Sequence, residues 1–114
     1  MPLSDFQQAQ VEKLLRPIVA RADRPDVRDQ LRLGYRIEGN AVVLFESRVM
    51  YNDPSQWIEE PVAKFRYVAS ISRWRLFCMF RDLKWRGYEL LPEAPSLDEL
   101  VAEVLRDPTG IFWG

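Results

Sequence analysis

A chain of 114 residues that is 47% apolar and 29% charged is long enough to bury a core without disulfides or metals. Its 16 basic and 17 acidic residues nearly cancel, leaving −1, so no overall field draws it to nucleic acid or to a membrane. It has no histidine and one cysteine, Cys78. That excludes imidazole triads, an internal disulfide and a cysteine-based zinc cluster, and it lowers the expectation of enzymatic chemistry, metal or cofactor.

The N-terminal MPLSDFQQAQ has no basic stretch leading into an apolar core, so it does not read as a signal peptide. No apolar run approaches a membrane span. With a single thiol inside an apolar segment, the expectation is a cytoplasmic protein of one domain, residues 1–114. Ser4 followed by Gln7 is a capping-box pattern, and Val11, Leu14, Leu15, Ile18, Val19 and Ala22 recur at helical spacing. These predict a helix over Asp5 to Ala22, kinked by Pro17 and ended near Arg24-Pro25.

Leu31, Leu33, Tyr35 and Ile37 then alternate with Arg32, Gly34, Arg36 and Glu38, the period of a half-buried strand. Gly39-Asn40 supplies the positive φ angles of a two-residue hairpin turn, and Ala41, Val43, Phe45 and Ser47 are read as the inner face of the return strand. MYNDPSQWIEEP is polar and turn-rich, which predicts a loop over 50–61 with Trp57 capping an edge of the core. KFRYVA, RWRLFCMFR and LKWRGYEL read as three more strands, broken by Pro92 and Pro95. Ser96 with Glu99 is a second capping box, and Leu97, Leu100, Val101, Val104 and Leu105 make the stripe of a second helix that stops at Asp107-Pro108-Thr109-Gly110. The terminal aromatics Phe112 and Trp113 are expected to fold back on the core, near the first helix. The predicted fold is α+β: an N-terminal helix, a five-stranded antiparallel meander and a C-terminal helix in two layers.

On that sheet Trp74, Leu76, Cys78, Phe80, Phe65, Tyr67 and Trp85 are assigned inward. Outward positions then hold Arg32, Arg36, Arg48, Lys64, Arg66, Arg73, Arg75, Arg81, Lys84 and Arg86 against Glu38 and Glu46, ten charges less two. Arginine forks suit phosphates, and Phe77 and Tyr88 offer stacking faces, so this is a candidate anion or nucleic-acid surface. The plainer account is a solvated sheet face whose arginine stems cover Val42, Leu44, Phe77 and Met79, and it outweighs the other because no binding motif accompanies the charge. Asp53, Glu59 and Glu60 read as solvated loop acids, since no cation-loop spacing is present. Cys78 reads as core filling. No Gly-rich phosphate loop occurs.

LRLGYRIEGNAVVLFE, VAKFRYVASISRWRLFCMFRDLKWRGYELLPEA and LDELVAEVLRDPTGIFWG, in that order, resemble a bacterial family catalogued as a domain of unknown function, number 3024. The resemblance runs from about Leu14 to Gly114. It implies a small cytoplasmic bacterial protein and no assigned activity. The leading functional reading is therefore a non-enzymatic interaction module of unknown partner. The alternative is a nucleic-acid-binding domain using the arginine-rich sheet face, and a histidine-free hydrolase is a distant third. Nucleic acid, another protein and a second copy of the chain are the partner classes left open; a membrane is not among them.

Overall fold

The computed structural model describes residues 2–113. Met1 and Gly114, the ends of the expected domain and of the IFWG tail, lie outside the described residues. Helix α1 spans Asp5–Ala22. Its capping box is complete: Gln7 N donates to Ser4 Oγ at 3.1 Å, and Ser4 N donates to Gln7 Oε1 at 2.9 Å. Pro17 sits inside the helix, which continues to Ala22. Val11 and Leu15 are the buried points of its stripe.

Strands β1 (Leu31–Glu38) and β2 (Ala41–Met50) form the expected two-residue hairpin, pairing Glu38 with Ala41. Gly39 alone takes a positive φ there, 59°; Asn40 does not, which is the pattern of a type II′ turn. Asn40 instead ties the turn to the next strand, donating from Nδ2 to the Tyr67 carbonyl at 3.0 Å while its own carbonyl accepts from Tyr67 N at 2.9 Å.

The inner face of β2 is the reverse of the expectation. With a two-residue loop each odd residue of β1 stands opposite an even residue of β2: Tyr35 with Leu44, Ile37 with Val42. Direct partners share a face, so Val42 and Leu44 enter the core with Leu33, Tyr35 and Ile37. Val43 and Phe45 lie on the outer face with Arg36. Phe45 lies across Gly34, where an added Cβ would stand 3.0 Å from its Cζ, and the Arg36 guanidinium covers the ring at 4.9 Å.

Strand β3 runs over Asp53–Val68, so the expected loop at 50–61 is mostly strand. A 3-10 turn at Ala69–Ile71 leads, through Ser72 at φ 51°, into β4 (Arg73–Met79). Short strands β5 (Trp85–Gly87) and β6 (Glu93–Ala94) both pair with β4, and α2 (Leu97–Arg106) follows. The sheet is antiparallel in the order β1-β2-β3-β4-β5, with β6 added beside β4: the α+β meander between two terminal helices. β6 falls between the two prolines expected to end the sheet. Ser96 caps α2 by position, but its side chain makes no capping hydrogen bond, so the second capping box is absent.

One face of the sheet packs on both helices. Leu15, Leu44, Phe65, Leu76, Leu97 and Leu100 are fully buried there, and Cys78 joins them. Phe112 is buried in the same core with its ring centroid 4.9 Å from that of Tyr88. The tail is held by Asp107, whose carboxylate accepts from Phe112 N at 3.2 Å and Trp113 N at 2.9 Å, and by the Trp113 indole, which donates to the Val104 carbonyl at 2.9 Å. Trp113 stays partly exposed in a groove with Ile18, Ala22, Leu33 and Leu105, on the α1 side as expected.

Candidate binding surface

The outer face is built by register. Lys64 stands opposite Phe77, Arg66 opposite Arg75 and Val68 opposite Arg73, so these side chains of β3 and β4 share the face away from the helices. Arg32 and Arg36 of β1 share it as well. Arg48 and Glu46 do not: even residues of β2 carry Val42 and Leu44 into the core, and the same parity sends Glu46 and Arg48 to the helix side, where Glu46 lines a small cavity with Ala22 of α1 and Trp113.

The end of the predicted site is also corrected. Trp85 stands opposite Met79 on the outer side, and Arg86 opposite Cys78, the reverse of the expected faces. Arg86 is exposed, pairs with Asp82 and stacks on Phe80 at 5.2 Å. Its guanidinium holds the Asp82 carboxyl below the ordinary carboxylate range. Phe80, expected inside, is 44% exposed because β4 ends one residue earlier. Tyr88 offers no stacking surface. It is buried and donates from its hydroxyl to Glu103 Oε2 at 2.7 Å. Burial, then the bond to Glu103, pushes the Tyr88 hydroxyl up to about 12. Glu103, the one buried charged residue among those described, also pairs with Arg106. Through Tyr88, Glu103 ties α2 to the segment after β5.

Much of the expected surplus is cancelled locally. Arg36 pairs with Glu38 and Glu59, and this carboxylate pair raises its pKa further. Arg48 pairs with Glu46 and Glu60. Glu59 and Glu60, expected as solvated loop acids, are brought beside arginines by the extension of β3. Arg32 donates to the Arg28 carbonyl at 2.8 Å and lies over the Trp57 ring at 4.5 Å, so Trp57 is covered by a cation and does not cap the core.

The β3–β4 region remains unbalanced. Lys64, Arg66, Arg73 and Arg75 have Glu93 as the acid within ion-pair distance, 3.1 Å from Arg73 Nε and 3.5 Å from Arg75 Nε. Arg73 Nε is buried yet makes no hydrogen bond. Arg66 and Lys64 lean over Phe77, 4.9 and 6.0 Å from its centroid. Arg81 and Lys84 lie in the turn between β4 and β5, beside Asp82, which is committed to Arg86. At the other end Arg66 and Arg75 open onto a cavity of about 530 Å³, shared with Asn40, Tyr67 and the start of α1 at Ser4 and Gln7. Glu93 was the missed residue of this site; its place in a two-residue strand between prolines carries no periodic signal.

Cys78 is buried and its Sγ lies 3.6 Å from the Arg86 carbonyl, with burial pushing the thiol upward. Among the described residues no group of three or more Cys, Asp or Glu side chains could hold a metal ion, and no helix is long and apolar enough to cross a membrane.

A comparison with curated proteins gives no match, and a comparison with solved structures gives none. The family model described as Domain of unknown function (DUF3024) matches residues 3–114, which is nearly the whole chain and includes the basic strands, the Glu93 strand and the folded-back tail. The chain belongs to that family.

Proposed function

We propose that the protein is a non-enzymatic binding module that takes an anionic partner on the outer face of β3 and β4. The observation that carries this reading is the direct opposition of Arg66 and Arg75 across the ladder, with Lys64 and Arg73 beside them. Like charges placed directly opposite in a sheet are destabilising. Glu93 answers Arg73 and Arg75 and leaves Arg66 without an acid in ion-pair range among the described residues. Carboxylates or phosphates of a partner would offset that repulsion by charge-assisted hydrogen bonds.

An acidic polypeptide suits the face better than a nucleic acid. Base stacking needs open aromatic rings, and Phe77 is already covered by Arg66 and Lys64, while Tyr88 is buried. The nucleic-acid reading keeps one support, the two further basic residues Arg81 and Lys84 in the turn after β4. Both are tested together by the anisotropy of a labelled polyglutamate peptide and a labelled single-stranded DNA at about 50 mM salt, where electrostatic binding is strongest. Polyglutamate is expected to bind, to weaken steeply as salt rises, and to be lost in Arg75→Glu but not in Arg48→Glu. Tighter salt-dependent binding of the DNA would select the second reading. No binding of either probe removes both.

A further inference from the structure

The two halves of β3 differ in what lies beyond them. From Ala63 to Arg66 the strand is flanked by β2 on one side and β4 on the other. From Asp53 to Val62 only β2 is paired to it, and Ser55 to Glu60 are all exposed. Pro54 and Pro61 bracket these six residues. The direction of their backbone groups follows from one bond. Val49 N donates to the Gln30 carbonyl at 3.1 Å, so the polar groups of Val49 point away from β3. Trp57 stands opposite Val49, which makes this a non-hydrogen-bonded pair and turns the N–H and C=O of Trp57 outward, away from β2. Two residues on, Glu59 points the same way. Pro61 fits the same parity, since its missing N–H falls on the outer side and costs β2 nothing.

A free edge of this kind accepts another strand. We propose that its occupant is a second copy of the same edge, joined antiparallel about a two-fold axis at Ile58. Only outward-facing residues can exchange bonds, so the register must pair odd positions with odd. Trp57 opposite Glu59 of the partner gives four backbone hydrogen bonds across the two-fold and satisfies all the outward groups of both residues. It places Ile58 against Ile58 in the close, non-hydrogen-bonded position, and Gln56 against Glu60. No like charges then face each other. The neighbouring registers are worse. Centring on Glu59 sets carboxylate against carboxylate. Centring on Trp57 sets Glu59 opposite Ser55, whose N–H is already bonded to Asp53 Oδ1 at 3.2 Å. Within each chain Glu59 is held by Arg36 and Trp57 by Arg32, so both contact residues are ordered before they meet. Register shifts lie at both ends of the segment, at Val62 and over Pro54 to Gln56, and the stretch between them, Trp57 to Glu60, is regularly paired with β2 and contains no lysine. The contact is isologous and therefore closes at two copies. Its short length places it at the small end of protein interfaces, with dissociation in the micromolar range or weaker.

The test is the solution mass of the full chain by analytical ultracentrifugation over roughly 1 µM to 1 mM. The expected result is a monomer at the low end and a two-copy species at the high end. Glu59→Pro removes an outward N–H without touching the β2 ladder, and Ile58→Lys sets two ammonium groups at the two-fold. Each is expected to raise the dissociation constant tenfold or more while keeping the wild-type melting temperature within a few degrees. Should Glu59→Pro fail to fold, Ile58→Lys alone carries the test, and concentration-dependent hydrogen exchange of the Trp57 and Glu59 amides in the wild type gives an independent reading. A wild-type monomer at every concentration overturns the proposal and leaves the edge to an extended segment of another chain. A two-copy species that persists unchanged in Ile58→Lys overturns it equally.

Discussion

The two halves of β3, on either side of Val62, are held by different forces. After Val62 the strand presents Phe65, with no exposure at all, to the core, and Lys64 and Arg66 to the outer face. Before Val62 every residue from Asp53 to Pro61 is exposed. There the strand is held by its pairing with β2, by the ion pairs of Glu59 and Glu60 and by Arg32 over Trp57. The register shift between Leu44 and Phe45 marks the change, and Val62, itself buried, is the extra residue. One continuous strand thus serves as a core element at one end and as a charge-balanced arm at the other. The unbalanced charge lies on the core-supported half, where the scaffold can bear it.

Substitutions on the two sides of Val62 should separate by severalfold. Phe65→Ala removes a fully buried ring and is expected to cost about 4 kcal/mol. Trp57→Ala removes a 39%-exposed ring whose main partner is a cation, and should cost less than about 1 kcal/mol. Denaturant unfolding of the two variants measures this, and equal losses would mean that the arm belongs to the core after all.

Between these extremes stands the buried pair at the α2 end. Tyr88→Phe deprives Glu103 of a hydroxyl donor and leaves it with Arg106, so a loss of about 2 kcal/mol is expected at neutral pH. The same pair sets an alkaline limit. The Tyr88 hydroxyl is pushed up to about 12 in the folded chain, against about 10 when unfolded. A raised folded value favours the protonated form, so this contribution is complete below about pH 10 and is lost as pH rises toward about 12. Melting temperature followed through that window should fall more steeply for the wild type than for Tyr88→Phe. Parallel curves would show that Tyr88 is not the group responsible.

Much of this architecture is legible in the residues, and the misreadings have identifiable causes. The Ser4–Gln7 cap, the stripe of α1 and the strict alternation of β4 each follow one rule over many residues, and each is found where expected. The face of β2 was misread because Ala41 to Leu44 are all buried, which hides the alternation, although the two-residue turn alone dictates that odd faces even. The start of β3 was misread because Asn52-Asp53-Pro54-Ser55 is turn chemistry, and the polar stretch after it is stabilised by cross-strand charges that no single-strand pattern contains. Arg86 and Tyr88 are expected outward from the alternation within β5, but its register on β4 sets Arg86 opposite Cys78 and bonds Tyr88 N to the Leu76 carbonyl, a cross-strand fact that the residues of β5 alone do not carry. Of the candidate surface, Lys64, Arg66, Arg73, Arg75 and Phe77 stand together as expected; the charge balance around Arg36 depends on contacts between residues 23 positions apart.

The most direct measurement pairs stability with binding in Arg66→Glu. If the opposition of Arg66 and Arg75 is a cost retained for an anionic partner, placing a carboxylate across from Arg75 converts repulsion to attraction, worth up to about 1 kcal/mol, against a similar loss of the contact with Phe77. The account predicts a melting temperature equal to or above that of the wild type, together with loss of polyglutamate binding at low salt. A lower melting temperature with binding unchanged would contradict it, since the arginine would then be supporting the sheet and not the partner.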